Sequence, residues 1–140
     1  MGFTEAISSC LRKFATFSGR ASRSEYWYWA LFLFLLELLV IIFMFVAMKE
    51  AALFAIPPVI WIINIVTFLP NLAVLVRRLH DIGRSGWSVL FGLIPFVGII
   101  ILLVFCLTES QDGDNEYGPN PNANAGIQQF ATNRPQQNRV

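Results

Sequence analysis

The stretch RRLHDIGRSGW, residues 77–87, puts three arginines, one histidine and one aspartate into eleven residues. These residue types can do chemistry. His80 beside Asp81 is the pairing of an acid–base unit. Arg77, Arg78 and Arg84 have the charge and the planar fork that hold a phosphate or a lipid head group. Together they would suit an enzyme acting on lipid head groups. Yet no nucleophile with a base accompanies them, and a single histidine supplies no metal set. Catalysis by His80 and Asp81 is therefore the weaker reading, and contact with anionic head groups or with a partner is the stronger. A structural role stands beside it. Asp81, and Glu25 upstream, can pair with Arg20, Arg23, Arg77 or Arg78 and pin this stretch to the N-terminal segment. Gly83 and Gly86 then allow a sharp turn.

The elements that must position these residues follow from composition. The chain is 56% hydrophobic and 14% charged, with a mean hydropathy of +0.59. Charge falls well below the roughly 25% of a soluble domain. The apolar residues lie in three runs, 27–48, 51–76 and 87–107. A bilayer core of about 30 Å takes roughly 20 apolar residues as helix, so each run is long enough to cross. The expected fold class is an all-α membrane protein with three transmembrane helices. The first run is too long for the apolar region of a signal peptide and should persist as an anchor. Pro57 and Pro58 should lie near one end of the second, where missing backbone donors matter least.

Lysines and arginines near the spans set orientation. Arg12, Lys13, Arg20 and Arg23 precede the first run, and Arg77, Arg78 and Arg84 separate the second from the third. Lys49 stands alone between the first two, and Glu109, Asp112, Asp114 and Glu116 follow the third. This predicts a cytoplasmic N-terminus and a cytoplasmic 77–86 loop. It puts the 49–50 turn and the C-terminal tail outside, which in a bacterium is the periplasm.

Phe3, Ala6, Ile7, Cys10, Leu11, Phe14 and Phe17 recur at spacings of three and four, which predicts an amphipathic helix over about residues 4–17 with Thr4 as its cap. It should lie in the membrane interface, or pack on the ends of the spans. Ser22 and Glu25 have the spacing of a capping box. Tyr26, Trp27 and Trp87 should anchor spans at head-group level. Gly92 and Gly98 in the third run are weak evidence of close helix packing.

Glu37 is the one ionisable residue deep in a run. A charge there costs on the order of 2.5–3.5 kcal/mol on insertion scales. Counted from the same side, Asn64 lies at matching depth on the second run. A Glu37–Asn64 contact is expected, with Thr67 one turn away. A polar clasp between helices is the simpler reading; a proton or ion path in a small oligomeric transporter is the alternative.

Cys10 and Cys106 sit in separate apolar elements without redox or metal spacing. The segment DGDNEYG alternates acids as a calcium loop does. Tyr117 takes the required glycine position, however, and Ala123 that of the bidentate glutamate, so calcium is rejected. Residues 122–140 have the composition of a disordered tail. The basic residues are too few, and lie too close to the membrane, to suggest nucleic acid. No cofactor is indicated.

FSGRASRSEYW, RRLHDIGRSGW and GDNEYGPNP closely resemble the small bacterial inner-membrane proteins of domain-of-unknown-function family 805, over roughly residues 10–121. Asp112 and Asn120 depart from the family's tail pattern. The resemblance implies three spans, a bacterial inner membrane and no established activity, and it names no catalytic residues. The expected function is that of a non-enzymatic accessory or interaction protein. Arg20, Arg23, Glu25, Arg77, Arg78, His80, Asp81 and Arg84 form its candidate contact cluster for anionic lipids or a membrane-protein partner.

Overall fold

The computed structural model describes residues 1–123, and its regular elements are all helices, with no strand among the described residues. Arg134, Arg139 and the tail expected to be disordered lie, from residue 124 on, outside the described residues. Among the described residues there are four α-helices: α1 (Phe3–Arg12), α2 (Arg23–Met48), α3 (Ala52–Asp81) and α4 (Val97–Leu107). A 3₁₀ segment, Gly86–Leu93, precedes α4.

The first two apolar runs form a helical hairpin. Ser22 caps α2 by accepting the Glu25 N–H at 3.2 Å, so the helix starts four residues before the expected span. The other half of the capping box is not made, because the Glu25 carboxylate turns inward to Arg77. The chain reverses in a 3₁₀ turn at Lys49–Ala51, where Lys49 takes a positive φ of 49°. Contacts then fall at positions nearly equidistant from that turn: Glu25 with Arg77, Trp29 with Asn71, Glu37 with Asn64. Pro57 and Pro58 lie in the early turns of α3, and Pro70 sits deeper. The outward faces carry large exposed apolar side chains, including Phe43, Val46, Phe54 and Val66. The stretch Arg23–Asp81 is long and apolar enough to cross a membrane.

The third run is not one spanning helix. It folds back on itself at Ile94–Phe96. The 3₁₀ segment enters, Phe96 takes a φ of 61°, and α4 returns. Phe91 meets Phe105 edge-on at 6.2 Å, and Arg84 lies 4.3 Å from the centre of the Phe105 ring. Each arm is about 16 Å long, half the roughly 30 Å core. Hydropathy along a run does not distinguish one crossing from two half-crossings. Proline and glycine decide it: Pro95 supplies the break, and Gly98 lets the arms touch. A Cβ on Gly98 would lie 1.8 Å from the Phe91 carbonyl oxygen.

A measurable contrast follows. Gly98→Ala should destabilise the protein by at least about 1–3 kcal/mol, because backbone cannot yield as a side chain can. Gly92→Ala meets only the flexible end of Leu102 at 3.0 Å and should be milder. Thermal aggregation of the detergent-solubilised variants ranks the two, and equal stabilities would contradict the hairpin packing.

The reversal brings the tail back to the charged end of the hairpin. Thr108 to Asn120 packs against the end of α3 and the N-terminal segment: the Gln111 N–H donates to Asp81 O at 2.9 Å, and Arg20 donates to Gly113 O at 2.7 Å. The N-terminus, the 82–86 loop and the tail share one pole. The charge count had set the tail apart from this pole, beyond a third crossing.

α1 is shorter than its periodicity implied. It ends at Arg12, Glu5 accepts the Gly2 N–H at 2.9 Å, and Thr4 lies within the helix rather than capping it. Ala6, Ser9 and Cys10 are buried, while Phe3, Leu11, Phe14 and Phe17 stay exposed. One side of the apolar face therefore packs on the hairpin and the other is open.

Candidate functional site

The charged pole is built around the C-terminal ends of α3 and α4. A helix ends with carbonyls that lack partners in its own turns. In α3 these are taken by distant segments. Ala21 N–H donates to Arg77 O at 2.9 Å, Asn115 Nδ2 to His80 O at 2.9 Å, and Gln111 N–H to Asp81 O. Gly83, at φ 70°, closes the helix by donating to His80 O at 3.0 Å. A side chain there would also strike Gln111, 2.6 Å from the Cβ position. In α4, Arg78 donates to Cys106 O and Thr108 O, Trp27 Nε1 to Cys106 O at 3.4 Å, and Arg23 to Leu107 O at 3.4 Å.

Between these ends lies a buried charge network. Asp81 is fully buried and is held on both oxygens. Arg20 Nε donates to Oδ1 at 2.9 Å, while Arg78 Nη1 and Ser110 Oγ (2.5 Å) donate to Oδ2. Arg20 spends its remaining donors on the carbonyls of Gln111, Gly113 and, more distantly, Asp81 and Gly118. Glu25, also buried, accepts from Arg77 Nη1 at 2.7 Å and from Ser9 at 3.0 Å. Three buried arginines thus face two carboxylates. The negative end of the α4 dipole, placed on Arg78, offsets part of the excess. Arg77 keeps Nε and Nη2 without a partner.

The arrangement has direct chemical consequences. Arg20, Arg77 and Arg78 are interior residues, and each is ion-paired within the chain. Arg84 is exposed. Arg23 is half exposed and pairs with Glu109 at 3.1 Å. His80 and Asp81 do not form a dyad. Asp81 faces the arginines, while the His80 ring stacks flat on Tyr117, 3.9 Å between centres. Its Nδ1 donates to Gly19 O at 3.2 Å. Burial pushes the imidazole below its ordinary pKa; the Gly19 carbonyl and Glu116 act the other way. The Cys10 thiol is pushed up to about 11, by burial first and by the Glu25 charge second, so it is not a ready nucleophile.

Trp87 is 78% exposed at the start of the 3₁₀ arm and Trp27 is also exposed, whereas Tyr26 is half-buried. Further into the hairpin, Asn64 Nδ2 donates to Glu37 Oε1 at 2.9 Å, and Thr67 bonds its own helix at Ile63 O. A laterally open hollow of about 570 Å³ runs past them, bounded by Trp29, Asn71, Gly92 and Leu102. Sequence reasoning missed Ser9, Ser110, Gln111 and Asn115. A serine or carboxamide in a polar segment carries no mark of a partner, and half of the acceptors here are backbone carbonyls.

A family model described as a protein of unknown function (DUF805) matches residues 14–119. The chain is 40% identical over 114 residues to the inner membrane protein YhaI of Escherichia coli (strain K12), covering 81% of this chain and 92% of that protein. It is 40% identical over 112 residues to the inner membrane protein YhaH of the same organism, covering 79% and 91%. These relatives support an integral protein of the bacterial inner membrane. No solved structure matches.

Proposed function

The chain belongs to the DUF805 family of proteins of unknown function, and from that premise we propose a non-enzymatic accessory protein of the inner membrane whose charged pole is a rigid docking cap. α2 and α3 cross the membrane, the 86–107 hairpin re-enters from the cytoplasmic side, and both ends of the described chain are cytoplasmic. The excess of Lys and Arg at this pole supports that orientation.

One observation carries the reading: the buried carboxylates of the pole, Glu25 and Asp81, are each ion-paired to arginine, and Arg78 also takes up the carbonyls at the end of α4. Ion pairs buried in this way hold segments in register rather than turn over a substrate. They lock α1, the 82–86 loop and the tail into one surface. Exposed Arg12, Lys13 and Arg84 then lie toward anionic head groups, each contributing about 1 kcal/mol to adhesion. Exposed Asp112, Asp114 and Glu116 form an acidic edge for a basic partner.

Photo-crosslinking residues placed at 84 and at 112, in native membranes, test both halves. Position 84 should give lipid adducts, and position 112 a reproducible protein adduct of one mass. Absence of any protein adduct at 112, with the protein at normal abundance, would remove the docking role.

A further inference from the structure

Hydrogen bonding at the middle of the α2–α3 hairpin does not close within one chain. Asn64 spends one N–H on Glu37 Oε1 at 2.9 Å and the other on its own helix, at Ile60 O, 3.0 Å away. Among the described residues, nothing donates to Asn64 Oδ1 and nothing bonds Glu37 Oε2. Asn64 is exposed and Glu37 only half-buried. Hydrocarbon offers neither donor nor acceptor to such groups. Asn64 also stands in an exposed stripe of α3 with Trp61, Ile65 and Phe68, which are 69%, 68% and 63% exposed. Together these four bound a notch of about 300 Å³.

We infer that this face of α3 docks a second copy of the chain across a two-fold axis. In its acid form Glu37 has one O–H donor left, on Oε2. Asn64 has one carbonyl acceptor left, on Oδ1. A two-fold axis turns one spare donor and one spare acceptor into two identical bonds, Glu37 of each copy to Asn64 of the other. Lipid cannot do this, because its ester and head-group oxygens lie well outside this depth. An unrelated membrane protein would need a donor and an acceptor at the same spacing and depth, which a second copy has by symmetry. A single polar residue within an apolar stripe is a recognised way for membrane helices to fix a partner and its register. Trp61 and Phe68 would pack around the crossing point.

The test uses the purified full chain, labelled at its N-terminus with donor or acceptor fluorophore, in phosphatidylethanolamine–phosphatidylglycerol vesicles. Energy transfer should fall along a monomer–dimer curve as lipid is added. Asn64→Leu should weaken the dimer about tenfold, the scale of lost interhelical polar contacts. Trp61→Ala should weaken it comparably, and its exposed position keeps folding intact. Glu37→Gln retains one donor and one acceptor and should stay within about threefold of the parent, whereas Glu37→Leu should not. Transfer no higher than random proximity in the parent chain would mean that lipid or a different protein covers this face, and would overturn the inference. So would folded Asn64→Leu and Trp61→Ala variants that dimerise as the parent does. A folded Glu37→Gln variant that loses the dimer would overturn the hydrogen-bond scheme.

Discussion

Replacing Asp81 by alanine should cost about 3–5 kcal/mol, the scale for removing one partner of a buried ion pair. A domain of this kind has a net stability of about 5–15 kcal/mol, so the loss takes a large share of it. The size of the effect follows from what remains. Arg20 and Arg78 would both stay buried with no carboxylate between them, and the Ser110 hydroxyl would lose its acceptor. The tail would also lose the side chain around which Arg20 gathers the carbonyls of Gln111 and Gly113. Asp81→Asn keeps the shape but not the charge and should fall between alanine and the parent. Steady-state level in the membrane and the midpoint of denaturant unfolding measure both. His80→Gln is the contrast, since His80 is partly exposed and holds no ion pair. If Asp81→Ala were no worse than His80→Gln, the network would not be what holds the pole together.

A reporter fused after residue 121 should report the cytoplasm. A green fluorescent protein fused there should fluoresce and an alkaline phosphatase should be inactive; a phosphatase inserted at residue 50 should be active. The expected difference is nearly all-or-none, because each reporter folds on only one side. The half-length arms of the 86–107 hairpin, and the tail's bonds to Arg20, Asp81 and His80, put the tail on the side of the N-terminus, which the proposed orientation makes cytoplasmic. Phosphatase activity at 121 would mean that the third run crosses fully in the cell and the tail leaves the pole.

How much of this was legible in the sequence differs by element. The first two runs were, because length and predominant apolarity constrain a chain that must satisfy its own backbone in hydrocarbon. The matching depth of Glu37 and Asn64 was also legible, since helix rise converts residue number to height. The reversal at Ile94–Phe96 was not read, although Gly92, Pro95 and Gly98 stood in the run. Each is tolerated in an ordinary span, and only their geometry together separates a kink from a turn. The burial of the arginines was not legible for a different reason. Lys and Arg beside a membrane are read as facing water and head groups. Arg20 and Arg78 are interior because their acceptors come from residues 81, 106, 108, 111 and 113, largely as backbone carbonyls. Carbonyl groups are present at every position, so they leave no signature.

The half-depth hairpin makes the molecule unequal from end to end. A section through the charged half cuts α2, α3 and both arms of the hairpin, whereas a section near the 49–51 turn cuts only α2 and α3. In the proposed orientation the chain would displace roughly twice as much area from one leaflet as from the other, at about 10–12 Å diameter per helix. Each copy so inserted would be a small wedge, and a membrane crowded with them would carry unequal lateral pressure on its two faces.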